Sequence, residues 1–199
     1  MKKTIIQIAL LLVIVVLTIF LVRSIMEPVR YTNEKKFRYD LTIQKLKDIR
    51  SAEVAYRAVN KHYTGSFDTL INFIKHGEMA IVKMIPDPND TTFSRSIMDT
   101  IGYVAIIDTI FGKRTDFIPD NLKYIPNSEG QVFTLEAGYT EKSKIMIPVF
   151  RASALNTQIL YGMDEQTIYN EDTKLMVNDL FPGLFVGSMT EASTDGNWE

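Results

Sequence analysis

The longest uniform stretch of the chain is apolar: Thr4 to Val22, 19 residues without a charge between Lys3 and Arg23. As a helix rising about 1.5 Å per residue it spans roughly 28 Å, close to the hydrocarbon thickness of a bilayer. The apolar core of a cleaved signal peptide is shorter, about 7–15 residues, and a small-x-small cleavage site follows it. Here the exit reads Leu-Val-Arg-Ser-Ile-Met-Glu-Pro, with no such site. The pattern predicts an uncleaved single-pass transmembrane helix over residues 1–23, flanked by Lys3 and Arg23.

Polar and apolar positions then begin to alternate at helical period. Pro28 is the only helix breaker between residue 4 and Gly65, so the anchor should continue into an extended juxtamembrane helix over residues 24–64. Its apolar stripe is Leu46, Ile49, Ala52, Tyr56, Val59 and Tyr63, spaced by three or four residues as on one helix face. The direct expectation is a helix packed on its own domain. A sharper alternative is a seam with another chain, where Ala52 and Ala55 would allow close approach. The basic residues from Arg30 to Arg50 form either a solvated face or one turned toward lipid.

After Gly65 the period changes. Ser66 is placed to cap a short helix, Phe67–Lys75, with Phe67, Leu70, Ile71 and Ile74 on one side. Segments rich in β-branched and aromatic residues follow: 79–85, 103–111, 131–140, 144–151 and 184–188. Turn-forming clusters separate them, Pro86–Asp90 and Asn127–Gly130 among these. Val132–Tyr139 and Lys144–Phe150 should pair as an antiparallel hairpin, with Pro148 at an edge or a bulge. Helices first and strands afterwards predict an α+β body over residues 65–199, a long helix packed on a small antiparallel sheet.

Charge sharpens this division. The net charge of −2 splits into +7 over residues 1–62 and −9 over the rest. An acidic body argues against nucleic acid as a partner, because phosphate binding needs concentrated basic charge. Orientation is contested within the sequence. Arg23, Arg30, Lys35, Lys36 and Arg38 outnumber Lys2 and Lys3, which by the positive-inside rule favours a cytoplasmic body. A two-lysine tail before a long apolar run is instead how exported bacterial anchors begin. The expectation is a bacterial inner-membrane protein with a periplasmic body; a cytoplasm-facing tethered adaptor is the alternative.

Residues Asp48 to Lys75 carry a resemblance. Ala52, Ala55, Tyr56, Asn60, Tyr63, Leu70 and Ile74 stand where type II secretion pseudopilins and type IV pilins end their spine helix, turn, and begin a second short helix. The ending Asp195-Gly196-Asn197-Trp198 is similar to the Asp-x-x-Trp close of major pseudopilins. The resemblance covers about a third of the chain and rests on short motifs. It implies a pilin-like shape and a structural role in a bacterial envelope or secretion complex, with other membrane proteins or further copies of itself as partners. The chain has no Gly before residue 65 and no acid between Lys3 and Glu27, so it lacks the prepilin cleavage motif and the glutamate that follows it. The implied component is a non-processed one.

Candidate chemistry is sparse. With 0 Cys and 2 His there is no thiol nucleophile and no paired-histidine metal motif. Nucleophile-elbow, dinucleotide and phosphate-loop signatures are absent too. Asp87 with Asp90, Asp116 with Asp120, and Glu171 with Asp172 are the closest carboxylate pairs, and acids among Pro, Asn and Thr commonly form turns. Oxygen ligands for calcium are conceivable in the Pro86–Thr92 loop or near Glu191 and Asp195. The expectation is no enzyme, with no catalytic, cofactor or resident metal residues. A membrane-tethered ligand-binding or enzymatic domain is the competing reading. Trp198, the single tryptophan, should dock on the body or on a partner.

Overall fold

The computed structural model describes residues 2–86 and 96–199. One helix, α1 (Lys2–Asn60), runs without interruption through Pro28. It is followed by α2 (Phe67–His76), strands β1 (Glu78–Pro86) and β2 (Ser96–Ala105), α3 (Ile106–Phe111) and a 3-10 turn at Pro119–Lys123. Then come β3 (Thr134–Lys142), β4 (Ile145–Leu155), α4 (Asn156–Ile159), α5 (Glu165–Val177) and β5 (Gly183–Gly187). The class is α+β. It has two small antiparallel sheets where the sequence suggested one: a two-stranded β1–β2 ribbon and a three-stranded sheet in the order β3-β4-β5.

Helix α1 has two unlike parts. From Leu10 to Arg30 every residue is exposed, including Leu12, Ile14, Leu17, Ile19 and Phe20. From Tyr31 onward one face is covered: Tyr31, Lys35, Tyr39, Thr42, Leu46, Ile49 and Ala52 follow one another at spacings of three or four. Leu46, Ile49 and Ala52 are fully buried in the core with Phe150, Ala152, Ala154, Leu184 and Val186 of β4 and β5. Burying a Leu or Ile of this kind contributes about 1.5–3 kcal/mol. The packed face begins some fifteen residues earlier than the apolar pattern indicated. Polar and aromatic side chains form that first part, which hydrophobic periodicity does not register.

Two members of the expected stripe behave differently. Val59 is 42% exposed, one residue before the end of α1, although α2 lines a groove with Tyr56 and Asn60 on either side of it in sequence. Tyr63 is buried, but beyond the helix: Lys61 turns the chain with φ 68, and the Tyr63 ring packs on Phe150 with centroids 4.7 Å apart. Tyr56 is half-buried, edge-on to Phe73 at 5.1 Å. Ala52 and Ala55 lie inside the body at 0% and 6% exposure, which removes them from any seam with a second chain.

Helix α2 forms as its signals suggest. Ser66 accepts a hydrogen bond from the Thr69 N–H, Leu70, Ile71 and Ile74 are buried, and Gly77 closes the helix by bonding to the Phe73 carbonyl. The segment 103–111 does not stay extended. The strand stops at Ala105, where the Ile106 N–H reaches the Gly77 carbonyl at 2.9 Å. The chain then coils as α3, burying Ile106 and Phe111, and Phe111 stacks on Phe117 at 3.6 Å. Its β-branched composition yields to this placement.

Pro148 sits in the central strand β4, but β5 pairs only with Arg151–Leu155, so at Pro148 the strand has β3 as its one neighbour. The β5 edge is closed by the C-terminal tail through a bridge from Val186 to Gly196. Gly187, at φ +78, is required there, since a Cβ would meet the Phe150 carbonyl oxygen at 2.3 Å.

Candidate functional site

The functional geometry is organised along α1. Residues Ile6–Asn60 contain a window of mean hydropathy 2.9 that no part of the body buries, so α1 is long and apolar enough to cross a membrane. Lys3 and Arg23 are both exposed at its two ends. Thr18 does not interrupt it, because its hydroxyl donates to the Ile14 carbonyl at 2.8 Å within the helix.

Above this segment, α5 lies along α1 and is tied to it by side chains. The Tyr31 hydroxyl and the Lys35 ammonium both donate to the Glu171 carboxylate, at 3.0 and 2.7 Å. The Tyr39 hydroxyl donates to Asn156, whose amide nitrogen donates in turn to Asp172. Burial first, and the neighbouring acids after it, push both tyrosines well above the ordinary phenol pKa, so both stay as neutral donors. Arg38 adds a bond to the Tyr161 carbonyl at 2.7 Å. Residues from α1, α4 and α5 thus fix the body on the helix just beyond the apolar segment. Glu171 and Asp172, a candidate carboxylate pair, are both engaged in this framework.

The other acids are placed as follows. Asp120 accepts from Lys75 at 2.7 Å, and Asp48 accepts from Arg114 at 2.8 Å. Asp195 accepts from Ser193 at 2.8 Å, and Glu191 is exposed. Asp87, Asp90 and the Pro86–Thr92 calcium candidate lie, from residue 87 onward, outside the described residues. Among the described residues no group of three or more His, Asp or Glu side chains gathers as ion ligands would. His62 Nδ1 lies 3.0 Å from the Tyr63 carbonyl oxygen, and His76 is an exposed residue in the last turn of α2.

The tail brings Trp198 against the core. Asn197 holds it there: its N–H bonds to the Phe185 carbonyl, its side-chain oxygen accepts from the Phe185 N–H, and its amide donates to Gly183. Glu199 then pairs with Arg50 of α1 at 2.8 Å. The indole covers Gly196 so closely that a Cβ there would meet the ring at 2.4 Å.

Sequence reasoning passed over Glu53. It is fully buried at the end of the α1 face, with one carboxylate oxygen accepting the Thr64 N–H at 3.0 Å and the other without a partner. Burial raises its pKa to about 8, against a smaller lowering by the Thr64 bond. The folded state therefore holds Glu53 protonated where the unfolded chain ionises it, so stability falls as pH rises from about 4.5 to about 8 and levels off above. A shift of this size is worth roughly 5 kcal/mol. Glu53→Gln, which keeps the acceptor and cannot ionise, should flatten that slope and raise the melting temperature most at alkaline pH. Thermal melts of both proteins from pH 5 to 9 check it; parallel curves would refute the assignment.

No family model, curated protein or solved structure matches the chain.

Proposed function

We propose that this chain is a single-pass, membrane-anchored assembly component of a bacterial cell-envelope or secretion complex, pseudopilin-like in shape, with its body on the periplasmic side of the inner membrane. The observation that carries the reading is the division of one unbroken helix into a bare apolar part and a part that is the spine of the body. A helix continuous across that junction fixes the body's position relative to the bilayer, which a flexible linker would not do.

Confinement to one membrane raises the effective concentration of neighbours without new contacts. Surface for such contacts is present. The β1–β2 ribbon exposes Ile81, Val82, Ile101 and Tyr103, and the β3–β4 end exposes Tyr139, Ile145 and Met146. Apolar positions grouped on projecting hairpins favour partner binding over an isolated life. Sparse catalytic chemistry in the sequence supports the same reading.

Detergent extraction of the tagged full chain at native expression tests it. Recovery of a defined, stoichiometric set of envelope proteins is expected, with that recovery lost when Ile101 and Tyr103 are both replaced by Ser. A protein recovered alone, with or without prior cross-linking in the cell, would contradict the proposal.

A further inference from the structure

A groove beside the spine has in its wall an arginine that no carboxylate pairs with among the described residues. It encloses about 810 Å³ between α1, the end of α5, β5 and the C-terminal tail, a volume usual for small-molecule sites. Arg151 of β4 stands in its wall with its guanidinium against the corner formed by two perpendicular rings, 4.7 Å from the Phe181 centroid and 4.4 Å from Phe185. No carboxylate pairs with Arg151 among the described residues, and its Nε is buried with no hydrogen-bond partner. The indole N–H of Trp198, in the same wall, is buried and unpartnered as well. A guanidinium with no paired acid, set in a largely apolar groove, calls for an anion.

The lining indicates what that anion is attached to. Ile43, Leu175, Leu180 and Leu184 supply apolar surface beside the aromatic rings. Lys35 is already committed to Glu171, and Asp179 adds one negative charge at the wall, so a multiply charged anion is disfavoured. Held against two aromatic rings, the guanidinium presents a planar fork of N–H groups, which a carboxylate meets with two parallel bonds.

We propose that this groove binds a small monocarboxylate with an apolar body, such as a medium-chain fatty acid, with Arg151 holding the carboxylate and Trp198 beside the chain. The site adds ligand recognition to a protein proposed above as an assembly component, and it stands or falls independently of that role.

Trp198 is the single tryptophan, so it reports on the groove directly. The full chain is reconstituted in lipid vesicles and titrated with omega-bromooctanoate, whose bromine quenches indole fluorescence. Quenching should saturate, be reversed by unbrominated octanoate, and require at least tenfold more of the neutral omega-bromooctanol. Arg151→Gln should weaken the acid at least tenfold, to the level of the alcohol, while the melting temperature holds. Non-saturating quenching, equal affinity for acid and alcohol, failure of octanoate to compete, or undiminished binding by folded Arg151→Gln would each overturn the proposal. If Arg151→Gln does not fold, the acid-against-alcohol comparison on the unaltered protein decides.

Discussion

Ile49→Asp is expected to unfold the body while leaving the protein in the membrane. Ile49 has no exposed surface and sits in the middle of the α1 face, in one core with both Leu46 and Ala52. An aspartate there would be a buried charge without a partner, and the cost is several kcal/mol. Total stabilities of domains run to about 5–15 kcal/mol, so one such change removes a large share. Val59→Asp is the matched control, three turns further along the same helix. Its site is 42% exposed, and a charge placed in water there should change stability by less than about 0.5 kcal/mol. Thermal unfolding of the full chain followed by Trp198 fluorescence separates the two. Equal melting temperatures for both variants would show that the α1 face is not the core of the body.

The same pair of residues shows how far the sequence could be read. Ile49 and Val59 occupy equivalent positions in a helical pattern, and periodicity treats them alike. Their difference depends on which side of α1 the rest of the body covers at each level, which α1 alone does not decide. The opposite error occurs at the start of the face. Tyr31, Lys35 and Tyr39 are contact residues because Glu171, Asn156 and Asp172 meet them across more than a hundred residues of sequence. Side chains that pack through hydrogen bonds leave no apolar stripe.

Helix α5 was hard to read for the same reason. Of its residues only Ile168 and Asp172 are buried, so its best signal was the Asp164 cap, whose carboxylate accepts the Thr167 N–H at 2.8 Å. Signals that act over three or four residues survived well. The Ser66 and Gly77 ends of α2 and the β3–β4 hairpin lie within a residue or a few of where local chemistry puts them. The segment 103–111 marks the limit. Its isoleucines suit a strand and equally suit one turn of helix, and the Ile106–Gly77 bond chooses between them. Neither Glu53 nor Arg151 could be singled out in advance, because a buried acid and an arginine without an acid are defined by neighbours distant in the chain.

The proposed function requires α1 to be one rod, bare through the bilayer and clothed above it. The chain contains no cysteine, so a single introduced thiol has no background. Leu12→Cys and Leu17→Cys place it in the apolar part, 60% exposed at both positions in the isolated chain, and Lys36→Cys places it at an exposed position beside the body. In lipid the first two thiols lack water to stabilise the thiolate, the form that reacts with maleimide, whereas the third keeps it. In membrane fragments open on both faces, a polar maleimide should label Lys36→Cys promptly and Leu12→Cys and Leu17→Cys at least about tenfold more slowly, with the difference abolished by unfolding in detergent. Labelling of Leu12→Cys and Leu17→Cys in membranes at the rate of Lys36→Cys would contradict the transmembrane rod.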